Sequence, residues 1–365
     1  MEVAKLEQID STHVLCRGRT FVYFGGCDYL RMSWHSAVRR AAIQGINSAG
    51  LNVAASRMTT GNHPVYDQLE RRLKAFFRAP SATLVSNGYL TNLAVLQGLG
   101  SDLGLILIDE NAHGSLRDAA MLAGTKVESF AHCNVGDLAK RIARHRNEAI
   151  MVMTDGVFAA TGRLAPLGEY QRVIPNAGWL LVDDAHGVGV LGKTGRGSLE
   201  HWKLKRGRVI QTLTLSKALG VYGGVIVGAS SIRRRIVANS SIFSGNTPLP
   251  PPLVLAAMRA VEVVDGSPAI RERLWSNVRF FENELSVGIS NPVKLVFPVW
   301  SVAPSMSSRT KTLQRKLLAA DIHPPFIRYP GGPENGFFRF AICSRHSRTQ
   351  LRQLAAVLRD ARVLN

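Results

Sequence analysis

A chain of 365 residues, 46% of them hydrophobic, can bury a large core and a second, smaller one, and it has no run near the roughly 18 apolar residues of a membrane span. Its four cysteines, Cys16, Cys27, Cys133 and Cys343, are scattered without a CxxC spacing, which excludes a disulfide scaffold and predicts reduced thiols in a cytoplasmic protein. The 45 Lys and Arg outnumber 26 Asp and Glu for a net charge of +19, a field that draws polyanions in general or is a plain solvated surface. Basic clusters stand at Arg233-Arg234-Arg235, at Lys203, Lys205, Arg206 and Arg208, and at Arg141, Arg144 and Arg146. No zinc finger, aromatic RNA-binding motif or basic low-complexity tail accompanies them, so nucleic acid is not the expected partner. The charged start, Met1-Glu2-Val3-Ala4-Lys5-Leu6-Glu7, lacks the apolar segment of a secretory signal.

Residues 1–40 read as an arm with short extended pieces. Pro64 suits a first helical position, and Val65, Leu69, Leu73 and Phe76 then recur on one helical face. Strands are predicted at Ala82–Ser86, Leu105–Ile108, Lys126–Phe130, Ala149–Met153, Trp179–Asp183, Val209–Leu213 and Gly224–Val227, with helices at Val135–Ala143 and Ala165–Val173. This alternation predicts an α/β fold with a mainly parallel central sheet covered by helices on both faces. Near residue 245 the pattern changes: Ser244 to Pro252 is a stiff, turn-rich joint. A long helix from Leu253 past Val264, a helix from Ala269 to Leu285, an extended Lys294–Val302, a helix near Lys311–Ala320, a strand Phe337–Ile342 and a closing helix from Arg348 follow. The expected division is an arm over 1–40, a large domain over 41–246 and a smaller α+β domain over 247–365.

In parallel sheets, ligands bind beyond the carboxyl ends of the strands. Two motifs fall there. Asp183-Asp184-Ala185-His186 closes Trp179–Val182, and Thr214-Leu215-Ser216-Lys217 closes Val209–Leu213. An acid, a histidine and a lysine at neighbouring strand ends are what an enzyme needs to hold pyridoxal 5'-phosphate (PLP). The lysine forms a Schiff base with the aldehyde, and the acid keeps the ring nitrogen protonated, so that the ring withdraws electrons. Each residue alone has a plainer reading: a solvated lysine, an acid capping a turn. The hydroxyls of Thr214 and Ser216 and the nearby Gly220, Gly223 and Gly224 suit a phosphate beside the lysine. Asp184 points away if the strand continues and is given no catalytic role. His113, just past Ile106–Asp109, is a structural histidine or an imidazole lying on the ring face. Ser86-Asn87-Gly88-Tyr89 turns a strand into a helix, whose free N–H groups can bind phosphate.

Together these motifs resemble fold-type I PLP enzymes, and within them the α-oxoamine synthase family, most of all the 8-amino-7-oxononanoate synthases. The likeness covers roughly residues 20 to 360. It rests on Asp28-Tyr29-Leu30, Ser56-Arg57 with Thr60-Gly61, Gly88-Tyr89 with Asn92, Asp109 with His113 and Ser115, Thr154 to Phe158, Val182 to Gly192 with Gly195-Arg196-Gly197, and Thr214 to Lys217. The resemblance implies that Lys217 carries the cofactor, Asp183 pairs with the ring nitrogen, His186 with the phenolic oxygen, and His113 stacks on the ring. It also implies that Gly88, Tyr89, Thr214 and Ser216 cradle the phosphate. Asn246 and Thr247 would reach the phosphate of the neighbouring subunit in a homodimer. Arg339 would grip the amino acid carboxylate, and Cys27 stands on the substrate side.

The implied reaction joins an α-amino acid to an acyl thioester, on CoA or acyl carrier protein, with loss of CO2. Alanine with a pimeloyl donor is the default pair. The basic surface suits a phosphate-rich CoA or an acidic carrier. Other fold-type I chemistry, such as transamination, and a non-catalytic partner subunit remain alternatives. Five places depart from the family pattern: Cys27 for asparagine, Arg31 for glycine, Tyr66 for histidine, Gly114 for alanine, and Ala159-Ala160-Thr161 for Ser-Met-Asp. Most lie nearer the substrate side.

Overall fold

In the computed structural model, residues 4–288, 292–303, 306–328 and 335–361 are described. The chain forms two compact units. One is built from Met1–Trp34, Ala159–Arg163 and Pro268–Asn365, the other from His35–Phe158 and Leu164–Ser267.

The second unit carries a seven-stranded sheet in the order Ser81–Val85, Gly224–Gly228, Val209–Thr214, Trp179–Asp183, Ile150–Asp155, Leu105–Asp109, Lys126–Phe130. Gly224–Gly228 runs antiparallel to both neighbours, and the other four pairings are parallel. Every residue of Leu105–Asp109, Ile150–Asp155 and Gly224–Gly228 is buried. Burial on both faces explains why these strands read as continuous apolar runs rather than alternating ones. One face packs on a core with Val95, Leu96, Leu116, Met151, Ile210 and Ile236, the other on a core with Leu107, Phe130, Leu138, Val152, Tyr170 and Val182.

Helix Pro64–Phe77 starts where expected. His63 caps it, its ring accepting from the Val65 N–H at 3.3 Å, and Val65, Leu69, Leu73 and Phe76 are all buried. Helix Ser36–Ala49 has too few apolar positions to be read from periodicity, and only Val38 and Gly45 are buried. It packs instead by close backbone approach: a Cβ on Gly45 would fall 2.6 Å from Pro252 Cα. Its partner, helix Pro251–Gly266, thus belongs to the sheet-bearing unit, and the division of the chain falls after that helix rather than at the proline-rich joint.

Among the described residues the first unit holds two small sheets. Glu7–Gln8, His13–Cys16, Arg19–Tyr23 and Ile322–His323 form one; Val299–Val302, Phe337–Ala341 and Phe326–Ile327 form the other. Helices Pro268–Leu285, Ser307–Ala319 and Arg348–Asp360 complete it. Arg348–Asp360 is opened by a full capping box between Ser347 and Gln350.

Candidate active site

The polar centre of the sheet-bearing unit lies at the carboxyl ends of its middle strands. Asp183 stands in register with Asp155 on the adjacent parallel strand. Asn92 Nδ2 donates to Asp183 Oδ2 at 2.8 Å, and the Ser115 hydroxyl donates to the same oxygen at 3.4 Å. The Ala185 N–H donates to Oδ1 at 3.1 Å. Thr212 Oγ1 in turn donates to Asn92 Oδ1 at 2.6 Å, fixing the amide's orientation. The carboxylate is therefore aimed, and it keeps lone pairs for one further donor.

His113 caps helix Gly114–Leu122. The Ser115 N–H donates to its Nδ1 at 3.2 Å, so the lone pair is on Nδ1 and the proton of the neutral ring is on Nε2. Its own N–H donates to Asp155 Oδ2 at 2.8 Å. The residue is exposed by surface area, yet enough protein surrounds the ring that burial lowers the imidazole pKa. The Asp183 charge opposes this, and Lys217 adds to it. Asp155 behaves oppositely. Burial first, then the charge of Asp183, pushes its carboxyl well above the usual range, and Lys217 only partly restores it. The field of Lys217 thus reaches both groups.

Lys217 lies in the hairpin that links Val209–Thr214 to the antiparallel Gly224–Gly228. The loop is internally bonded: Leu215 N–H to the Gly223 carbonyl at 2.9 Å, Val221 N–H to the Leu215 carbonyl at 2.9 Å, and Gly220 N–H to the Lys217 carbonyl at 2.8 Å. Gly223 takes φ +140, and a Cβ there would meet Leu249 Cδ2 at 2.5 Å. Gly88, at the start of helix Tyr89–Leu99, presses on this strand end, since a Cβ would fall 2.6 Å from Thr214 Cβ. The residues expected to cradle phosphate, Gly88 and Tyr89 on one side and Thr214 and Ser216 on the other, are brought together. Asn246 Nδ2 donates to Ser86 Oγ at 2.8 Å at this edge, and Thr247 beside it is exposed. His186 is buried on the turn after Asp183.

Asp184 faces elsewhere, as expected. Its Oδ2 accepts from the Ser198 N–H at 2.8 Å and Gln211 Nε2 at 2.6 Å. Burial raises its carboxyl to about 7. Gly156, Gly187 and Gly197 leave room for it: a Cβ at any of them would come within 2.7, 2.0 and 2.0 Å of its oxygens.

Cys27 and Arg339 belong to the other unit, where Arg339 Nη2 lies 3.5 Å from Cys27 Sγ. Arg339 Nε is buried with no hydrogen-bond partner among the described residues. Tyr66 is fully buried in the sheet-bearing unit, its hydroxyl donating to the Leu249 carbonyl at 2.8 Å and its ring under the Arg57 guanidinium at 5.1 Å. There it acts as core.

The donor set fits PLP: an aimed carboxylate with spare lone pairs, a lysine, an imidazole and a close glycine turn beside two hydroxyls. Sequence reasoning gave no role to Asn92, Ser115 or Asp155. The available signal was Asn92 itself, a single amide among Leu90, Leu93, Ala94, Val95 and Leu96.

Residues 22–358 match the family model for aminotransferase class I and II. An 8-amino-7-oxononanoate synthase of Methylococcus capsulatus is 33% identical over 363 residues, covering 98% of this chain and 93% of that protein. A putative 8-amino-7-oxononanoate synthase of Acaryochloris marina is 33% identical, covering 94% and 90%. Among solved structures, serine palmitoyltransferase from S. paucimobilis with bound PLP–myriocin aldimine superposes with a TM-score of 0.92 at 25% identity, covering 98% of this chain and 92% of that one. The 8-amino-7-oxononanoate synthase of Francisella tularensis gives 0.80 at 25% identity, covering 94% and 98%. This chain belongs to the class I and II aminotransferase family of fold-type I PLP enzymes, on its α-oxoamine synthase branch.

Proposed function

We propose that this enzyme condenses a small α-amino acid, alanine in the first instance, with an acyl thioester, releasing CO2 and the thiol and leaving an α-aminoketone. The 8-amino-7-oxononanoate synthases that match over nearly the whole chain support this reading, and the observation that carries it is the network of Asn92, Ser115, Asp183 and His113 in the unit that also holds Lys217.

When bound, PLP supplies an aldehyde that condenses with amines and a protonated ring that stabilises negative charge at the substrate α-carbon. Asp183, aimed by Asn92 and Ser115, holds the proton on the ring nitrogen. His186 donates to the phenolic oxygen. His113, neutral with its proton on Nε2, would stand beside the cofactor ring. The N–H groups of Gly88 and Tyr89, with the Thr214 and Ser216 hydroxyls, bind the phosphate. Lys217 Nζ would hold the cofactor, and as a free amine it would be the base for the substrate α-proton. Arg339 binds the substrate carboxylate through its paired N–H groups, and Cys27 takes the place of an asparagine on the substrate side.

The working form is a homodimer, in which Asn246 and Thr247 serve the neighbouring subunit's phosphate. Large apolar side chains left exposed in the sheet-bearing unit, Ile43, Leu51, Met121 and Leu122 among them, support an interface.

The deciding experiment pairs amino acids with acyl-CoA donors and reads thiol release with product mass. Release in step with amino acid use supports acyl transfer; keto acid formed without thiol release is transamination and overturns it. Lys217→Ala protein should lose both the visible absorbance of the lysine-linked cofactor and the activity.

A further inference from the structure

A second cluster of reactive side chains stands at the carboxyl ends of Leu105–Asp109 and Lys126–Phe130, and the proposed reaction does not use it. His132 Nδ1 lies 2.9 Å from Asp109 Oδ1, and Cys133 Sγ lies 3.7 Å from His132 Nε2. Asp109 is fully buried and pinned: the Asn111 N–H donates to its Oδ1 at 2.9 Å and the Cys133 N–H to its Oδ2 at 2.9 Å. A carboxylate only accepts, so the proton on Nδ1 points at Asp109 and the lone pair of Nε2 points toward the thiol. Phe158, edge-on to the imidazole at 4.3 Å, and the bond from the His132 N–H to Glu110 Oε1 at 2.8 Å hold the ring in that orientation. Cys133 itself takes φ +54, left-handed backbone that a cysteine rarely adopts. Thiol, imidazole and carboxylate are thus lined up in the order in which a base activates a nucleophile and an acid orients the base.

We propose that Asp109, His132 and Cys133 form a thiol-activating relay, which makes Cys133 a covalent modification site for small disulfides. The Cys133 S–H proton passes to His132 Nε2, and Asp109 stabilises the imidazolium. The thiolate attacks one sulfur of R–S–S–R, the S–S bond breaks, and a Cys133–S–S–R bond forms. The departing RS⁻ takes the proton from Nε2. The Cys133 sulfur is oxidised and the departing sulfur reduced, so the disulfide is the only co-reactant required. Cys133 is half-buried and packs against the core that holds Phe130, Leu138 and Phe158, so only a small reagent is proposed as its partner. Charged groups nearby include Glu110, Asp155, whose charge interacts with that of Asp109, and Asp137 on helix Val135–Arg144, which pairs with Arg141 at 3.0 Å. No group of the proposed cofactor site takes part, so the inference stands or falls apart from the acyl-transfer reading.

The test uses the holoenzyme and a small aromatic disulfide whose released thiol absorbs visibly. Cys133 should be the first site labelled, identified by peptide mass, with a rate constant at pH 6.5 about tenfold above that of glutathione. His132→Gln should bring the rate down to the glutathione level and return the pH profile to that of an ordinary thiol, while circular dichroism confirms folding. If that variant fails to fold, Cys133→Ser supplies the second measurement: the fast phase should vanish and the slow phases of the remaining thiols persist. Prior labelling of Cys16 or Cys27, or equal rates in wild type and a folded His132→Gln protein, would overturn the relay.

Discussion

At the scale of single residues, two adjacent acids illustrate how environment divides labour. Asp183 is surrounded by donors and left with capacity for one more; Asp184, one position on, is enclosed by glycines and buried completely. Replacing Asp183 with Asn keeps the shape and removes the charge, and turnover should fall about a hundredfold or more at saturating cofactor. Asp184 makes a different prediction. Its carboxyl rises from 3.8 in the open chain to about 7 in the fold. The folded state therefore binds more protons than the unfolded state between those values, and its contribution to stability is full below the lower one and lost as pH climbs to about 7. Asp184→Asn protein should gain stability relative to wild type as pH rises from 4 to 7, with no further gain above, as read by urea midpoints across pH. A constant difference across that range would mean the carboxyl is charged in the fold.

Elements explain what could be read in advance and what could not. The strands around the site were legible because burial on both faces leaves an apolar run, and the run's end marks where polar residues gather. Asp183, His186 and Lys217 fall at such run ends in the sequence. Helix Pro64–Phe77 was legible from its stripe, and Leu69→Ala, at a site with no exposure, should cost about 2–5 kcal/mol in denaturant unfolding. Helix Ser36–Ala49 was not legible, because it is held by a glycine against a proline backbone and not by an apolar face. The same contact hid the membership of Pro251–Gly266 in the sheet-bearing unit. Within the site, Asn92 and Ser115 were invisible as functional groups because their role is to aim Asp183, and aim depends on chain segments far apart in sequence. The Gly88 turn offers a check at this scale. Gly88→Ala should weaken cofactor retention in dialysis and cost about 1–3 kcal/mol, since its Cβ has nowhere to go beside Thr214.

For the molecule as a whole, a charge of +19 should be felt by any phosphate-rich substrate. KM for an acyl-CoA donor should rise severalfold between ~0.01 and ~0.15 M salt, as the screening length shrinks from ~30 to ~8 Å. A KM for CoA thioesters that ignores salt would assign the charge to plain solvation. The hairpin that carries Lys217 has a consequence of another kind. Its loop is bonded to itself, both legs are locked in the sheet, and Leu249 fills the space beside Gly223. Chain length between Thr214 and Gly224 is therefore a fixed quantity, because an added or removed residue has no slack to absorb it and would carry the amine off its station. In a scan of single-residue insertions and deletions, this stretch should be the most intolerant part of the protein, whatever residues are used.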